Sequence, residues 1–296
     1  MKKLLNKTEG IFTFSDYKKV KGKIIYAVLM LFLCISFLIS VFPPVWLFVS
    51  SFKEAAELYS VPYRFFPKNF DIKKILTVWN YLNFSKYFIN SFIVIIGACI
   101  SSVIFNGLLA YSVSIIKPIG YRFINALITM SLMIPAITSM GVLFSNITKL
   151  NLINNYIPLW LAFGANAMYF LMMKNYFDSL PKALIEAAKL DGCNKLQIFY
   201  HIILRLSLPI IMVVLIFTVN GAWSDFLLPY LVLRQDDLRT VMVKIFDLQS
   251  NMGVSGNFGP DELLMVLSFS IVPPVILFAF FQKYITAAAA SAGIKE

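Results

Sequence analysis

Six long apolar runs constrain this chain more than any other feature. They cover residues 24–50, 88–116, 123–147, 156–173, 209–233 and 263–284. A hydrocarbon layer about 30 Å thick is crossed by about 20 helical residues, and within it every backbone amide must be paired inside its own segment. The runs therefore predict an all-α membrane protein, six transmembrane helices in a single domain over 1–296. The fourth run is the shortest. Only 14% of residues are charged and mean hydropathy is +0.77. Soluble domains carry about a quarter charged residues, so no separate water-soluble domain fits beside the runs.

In a soluble protein the net charge of +11 would raise the question of nucleic acid. Here the basic residues lie mainly between the apolar runs, where they orient helices and meet anionic lipid, so membrane lipid is the expected partner and nucleic acid is not. Six spans put both termini on one side. With the N-terminus inside, 16 of the 26 Lys and Arg residues fall inside and 10 outside, which predicts cytoplasmic termini. The basic start (Lys2, Lys3, Lys7, Lys18, Lys19, Lys21, Lys23) precedes a run too long for a signal-peptide core and without a small-residue cleavage site, so it reads as a retained first helix. The connection 51–85 mixes Tyr63, Arg64, Phe65, Phe66 and Lys68, a composition that also suits a membrane surface.

Covalent chemistry lacks its residues. His201 stands alone, and Cys34, Cys99 and Cys193 are dispersed, so neither a nucleophile–base pair nor a metal cluster can be assembled. No glycine precedes Lys-Ser/Thr with a second glycine five residues earlier, so a phosphate-cradling loop is missing too. A non-catalytic chain without cofactor or metal is expected, and any energy must come from another chain.

One inside connection, 178–208, has a different character. Asp178 or Ser179 can cap a first helix, Pro181 suits its first turn, and Leu180, Leu184, Ala187 and Ala188 recur at helical spacing. Gly192 offers the left-handed conformation that ends helices. Asn194 and Gln197 resemble a capping box for a second helix, with apolar positions at Leu196, Phe199, Ile202, Ile203 and Leu206. The expectation is two short amphipathic helices meeting at a sharp bend.

Glu186-Ala187-Ala188, then Asp191-Gly192, then a short apolar helix resembles the cytoplasmic signature of the membrane subunits of binding-protein-dependent ABC importers. A second triple, Glu54-Ala55-Ala56, has Tyr59 and Ser60 where Asp and Gly belong, and reads as chance. Asn90-Ser91-Phe92, the segment from Asn220 to Pro229, Phe280 to Tyr284 and the Ala/Gly tail from Ala287 extend the resemblance to the smaller permease subunit of maltose-type sugar importers. The subgroup usually places Pro where Arg205 stands, with Pro arriving here only at Pro209. The resemblance implies a type I ABC importer permease fold in a bacterial inner membrane. It also implies a homologous permease partner forming a heterodimer, a cytoplasmic ATPase dimer that binds ATP and Mg, an extracellular solute-binding protein, and carbohydrate cargo of oligosaccharide class. Glu186, Ala187, Ala188, Asp191, Gly192 and Phe199 would then couple the permease to its ATPase.

Polar residues inside spans are expensive and usually face a bundle interior or a wet path. Asn106, Asn220, Ser224 and Asp225 are the candidates, with Trp223 beside them offering a face for a sugar ring. Asn220 and Ser224 lie about 17 to 23 Å along a helix from Pro209. Asparagine also serves as packing glue and Trp as an interfacial anchor, and Gly97-x-x-x-Ser101 fits a helix contact, so the residues alone leave both readings standing. The outer connection 235–261, with Gly253, Gly256, Gly259 and Pro260, can reach a docked protein. The competing class is a nucleotide-independent secondary transporter or channel, which should carry charged relay residues or inverted repeats, and neither is evident.

Overall fold

The computed structural model describes residues 20–251 and 258–293. Lys2 to Lys19, Gly253, Gly256 and Lys295 lie outside the described residues. The chain forms two compact units that divide between Asp71 and Ile72.

In the first unit, α1 (Val20–Ser50) is exposed along most of its length and carries Pro43 and Pro44. The Glu54-Ala55-Ala56 triple leads into α2 (Ala55–Leu58), only four residues long. Lys53 is 1% exposed. It donates to the Arg64 carbonyl at 2.6 Å and the Tyr63 hydroxyl at 3.1 Å, and the Trp46 indole donates to the same hydroxyl at 2.6 Å. The aromatic and basic stretch thus folds back on the end of α1, which satisfies a buried ammonium.

The second unit opens with α3 (Lys73–Tyr81) and the long α4 (Phe84–Tyr111), which continues through a π turn at Ser112–Ile116. Run 123–147 becomes α5 (Tyr121–Ser131) and α6 (Ala136–Lys149), separated at Pro135. Run 156–173 becomes α7 (Ile157–Gly164) and α8 (Ala167–Asp178). The connection 178–208 holds α9 (Lys182–Leu190), α10 (Lys195–Ile198), a π turn (Phe199–Ile203) and α11 (Leu204–Leu206). Run 209–233 becomes α12 (Leu208–Ser224) and α13 (Leu227–Val232), followed by α14 (Val241–Ser250) and α15 (Pro260–Gly293). Among the described residues, the unbroken helices long and apolar enough to cross a membrane are α1, α4 with its π turn, and α15, and the pair Lys195–Leu206 and Leu208–Ser224, bent by 81°, makes a fourth candidate.

Each break inside an apolar run exposes backbone groups that lipid cannot satisfy, so each needs a polar partner. Between α7 and α8 that partner is Asn106 of α4, 2% exposed. Its amide donates to the Phe163 carbonyl (2.9 Å) and the Ser102 carbonyl (2.8 Å), and its oxygen accepts the Asn166 N–H (3.0 Å). Asn166 in turn caps α8 by accepting from Met168 and Tyr169. Between α12 and α13 the Asp225 carboxylate accepts from the N–H groups of Leu227 and Leu228.

Helix α4 is the hub, packed on α7, α8 and α12. Small residues permit the close approach. Gly97 lies under the Trp160 ring, and Gly164 lies against Ser101 and Phe105, so the Gly97-x-x-x-Ser101 contact forms with α7.

Candidate coupling element and solute pathway

The connection 178–208 folds as two short helical pieces around a tight turn. Gly192 has φ +82°, its N–H donates to the Lys189 carbonyl (3.1 Å), and the Cys193 N–H donates to the Ala188 carbonyl (3.0 Å). The capping box is present: the Gln197 N–H donates to Asn194 Oδ1 (2.9 Å), and the Asn194 N–H donates to Gln197 Oε1 (2.8 Å). At the other end Pro181, with φ −61° and ψ 118°, occupies the cap position of α9. Asp178 and Ser179 belong instead to the end of α8, where Asp178 accepts from Ser114 Oγ (2.5 Å) and Lys174 (2.8 Å), and Ser179 Oγ donates to the Tyr176 carbonyl. Proline at 181 disfavours helix at Leu180, which is why the cap cannot lie earlier.

The six signature positions divide by face. Ala188 (5% exposed) and Phe199 (0%) are buried in the bundle core with Ile185, Ile198 and Ile203. Phe199 stacks on Tyr111 of α4 with ring centroids 5.4 Å apart and touches the space over Gly107. Glu186, Ala187, Asp191 and Gly192 are exposed. Leu184 lies on that outer side rather than facing the bundle as its spacing suggested, and Leu190, 89% exposed, lies there too. Leu196 is also exposed, because the π turn rotates Ile198 and Phe199 inward in its place. Arg205 sits exposed in α11, just before the bend at Ser207, and Pro209 occupies the first turn of α12, where a missing N–H costs nothing. His201 lies at the surface against the Gln197 carbonyl.

The five pathway candidates do not converge. Asn106 holds the α7–α8 break, and Asp225 caps α13. Trp223 is 3% exposed, with its ring against Phe88 and Phe92 and its N–H on the Ser270 carbonyl at 3.1 Å. Asn220 and Ser224 alone share an exposed face, joined by the Ser224 hydroxyl bonding to the Asn220 carbonyl (2.8 Å). Asn220 lines an apolar cavity of about 240 Å³ between α12 and α15 with Phe217, Pro274 and Phe278.

A polar network at the Phe84 end of α4 escaped the sequence reading. Asn90 donates to the carbonyls of Asp237 and Arg239 (both 2.9 Å), and Ser91 Oγ accepts the Val241 N–H (3.0 Å). Asp236 accepts from the Tyr87 hydroxyl (2.6 Å) and Lys244 (3.0 Å), Lys86 pairs with Asp237, and Arg239 pairs with Asp247 (2.6 Å). Asn154, left-handed at φ 57°, accepts from the N–H groups of Arg234 and Gln235. Burial opposes ionisation of Asp236, but Tyr87 and Lys244 outweigh it and hold the carboxyl below its usual range. The available signal was the asparagine cluster around Asn154, a residue type that tolerates left-handed turns.

The family described as binding-protein-dependent transport system inner membrane component matches residues 104–290, from mid-α4 through the coupling element to α15. The chain belongs to this family. It is 32% identical to the probable ABC transporter permease protein YurM of Bacillus subtilis, over 86% of this chain and 83% of that one. It is 31% identical to the arabinooligosaccharides transport system permease protein AraQ of Halalkalibacterium halodurans, covering 87% and 92%. The trehalose/maltose transport system permease protein MalG of Thermococcus litoralis is 30% identical, covering 92% and 95%. A chain of a bacterial ABC transporter involved in import of the acidic polysaccharide alginate superposes with TM-score 0.81 over 90% of this chain and 98% of its own length, at 23% identity, which establishes the type I importer permease fold. The protein is thus a multi-pass inner-membrane permease of the maltose-type subgroup, a non-catalytic component of a binding-protein-dependent importer.

Proposed function

We propose that this permease forms half of the translocation path for an oligosaccharide and is driven by a separate ATPase through the segment Glu186 to Gly192. The division of faces in that segment carries the reading. Glu186, Ala187, Asp191 and Gly192, flanked by Leu184 and Leu190, present a small-residue, apolar and acidic surface, while Ala188 and Phe199 anchor its other side in the core around α4 and α8. A push on the outer face is transmitted as a rigid body because interiors pack densely. The Tyr176 hydroxyl on the Leu206 carbonyl (3.2 Å) and Ser114 on Asp178 add polar ties to the same helices.

In this reading the side that carries the larger share of Lys and Arg, the coupling element included, is cytoplasmic, with both termini there. ATP and Mg reside on the ATPase dimer, a homologous permease supplies the other half of the path, and a solute-binding protein docks at the opposite end. The named cargoes of its relatives, arabinooligosaccharides and trehalose or maltose, support a saccharide of more than one unit. Asn220 and Ser224 are the side chains of the fifth run placed to meet it.

Gly192→Pro tests the coupling assignment, since proline holds φ near −65° where +82° is needed. Co-purification of the ATPase and binding-protein-stimulated ATP hydrolysis should both be lost while the membrane subunits still assemble. Intact stimulated hydrolysis would remove the coupling role. Solute uptake by vesicles holding this chain alone under an ion gradient would instead favour a nucleotide-independent transporter.

A further inference from the structure

We infer that the cleft between the Ile116 end of α4 and the flank of α9 binds a phosphate-bearing anion, of the kind carried by an acidic phospholipid headgroup or by free phosphate. The cavity measures about 520 Å³, and its polar lining includes Ser114, Lys117, Asp178, Lys182, Glu186 and Lys189. Three lysines from two separate parts of the chain converge there. Among the described residues none of the three makes an ion pair, whereas the cleft's Asp178 is already matched by Lys174 at 2.8 Å and by Ser114 at 2.5 Å. Burial works against ionisation of Asp178, but Lys174 and Ser114, helped by the charge of Lys117, outweigh it and hold its carboxyl below the usual range. Counted together, Lys117, Lys174, Lys182 and Lys189 face the two carboxylates Asp178 and Glu186, so the cleft carries a net positive field.

Its shape argues for a headgroup over a bare ion. A water occupies about 30 Å³ of liquid, so the cavity has room for a phosphate with its glycerol as well as water. Lys117 is held at φ 53° with its N–H on the Ser112 carbonyl (2.9 Å), which fixes this lysine at the rim. Immediately beyond it Ile119 is fully exposed and Phe123 is 68% exposed, an apolar surface beside the basic cleft that suits an acyl chain. Lysines at a membrane surface attract acidic headgroups by about fivefold each.

The test uses the assembled transporter in phosphatidylcholine nanodiscs with and without phosphatidylglycerol, and counts retained lipid by native mass spectrometry. A second arm titrates inorganic phosphate in phosphatidylcholine alone. Wild type should retain phosphatidylglycerol preferentially, and Lys117→Gln/Lys182→Gln/Lys189→Gln should lower that retention by about two orders of magnitude, while Lys149→Gln leaves it unchanged. Asp178→Asn should raise retention severalfold, because it removes a negative charge and releases Lys174, a sign that misfolding would not produce. Lysine-dependent binding of phosphate without lipid preference would keep the anion site and assign it a soluble source. Equal retention in the triple variant, or a fall in Asp178→Asn, overturns the site.

Discussion

The indole N–H of Trp223 in α12 donates to the backbone carbonyl of Ser270 in α15 at 3.1 Å. That carbonyl lies four residues before Pro274, which has no N–H to return to it. One helix thus supplies the donor that a proline removed from the other, inside a layer where an unpaired carbonyl costs several kcal/mol. Trp223→Phe keeps the contacts with Phe88 and Phe92 but leaves the carbonyl orphaned. It should lower the stability of the purified complex by roughly 1–3 kcal/mol. Pro274→Ala restores a backbone donor, so it should recover part of that loss in the Trp223→Phe background. Additive losses in thermal unfolding of the single and double variants would refute the linkage.

Asn106 offers a cleaner separation of structure from transport. Its donors serve the Ser102 and Phe163 carbonyls, and its acceptor serves Asn166. Asn106→Leu leaves the Phe163 carbonyl and the Asn166 N–H unmatched, for a loss of roughly 1–3 kcal/mol at each. Thermal unfolding should therefore register the change before uptake does. A variant of wild-type stability with lost uptake would show that the side chain meets solute instead.

The unbroken helices were legible because apolar length alone defines them, as in 24–50 and 88–116. The breaks were not. Asn166 sits in a run of uniform hydropathy, and the group that makes a break tolerable there is Asn106, sixty residues earlier. The coupling turn was readable for the opposite reason: Gly192, Asn194 and Gln197 act on their own backbone within three residues. Which apolar row of α9 faces inward was hidden, since Leu184 and Ile185 are equally apolar and only packing against α4 and α8 distinguishes them. The same limit kept Asn220 and Ser224 from being told apart from Trp223 and Asp225.

The loop after α13 should detach from α4 in acid. Asp236 has a depressed carboxyl pKa in the folded protein, so its contribution is present above the unfolded value of about 3.9 and is lost as pH falls through the lower folded value. Amide exchange at Val241, whose N–H rests on Ser91 Oγ, should accelerate below about pH 4 relative to helix amides of α4. Asp236→Asn should reproduce the change at neutral pH, with local protection lower by roughly 1 kcal/mol. Unchanged exchange in that variant would mean that Asn90 and Ser91 hold the loop without the charges.

Gly97 sets how closely α4 and α7 can approach. A Cβ built on it would stand 2.2 Å from the Trp160 ring, far inside van der Waals contact, and the ring covers it as a lid over a cleft with Ile93, Ile96 and Ile100. Gly97→Ala must therefore either swing Trp160 outward or part α4 from α7. The overpacking should cost roughly 1–3 kcal/mol. Trp160→Ala removes the obstacle, so Gly97→Ala should be far better tolerated on that background, with a favourable coupling between the two changes measured by thermal unfolding. The same α4 carries Tyr111 and Gly107 against Phe199, which makes a second readout available: if α4 shifts as a body, Gly97→Ala also lowers stimulated ATP hydrolysis. Loss of stability with full stimulation would place the strain in Trp160 alone, and no loss of either would deny that the glycine is needed for the seam.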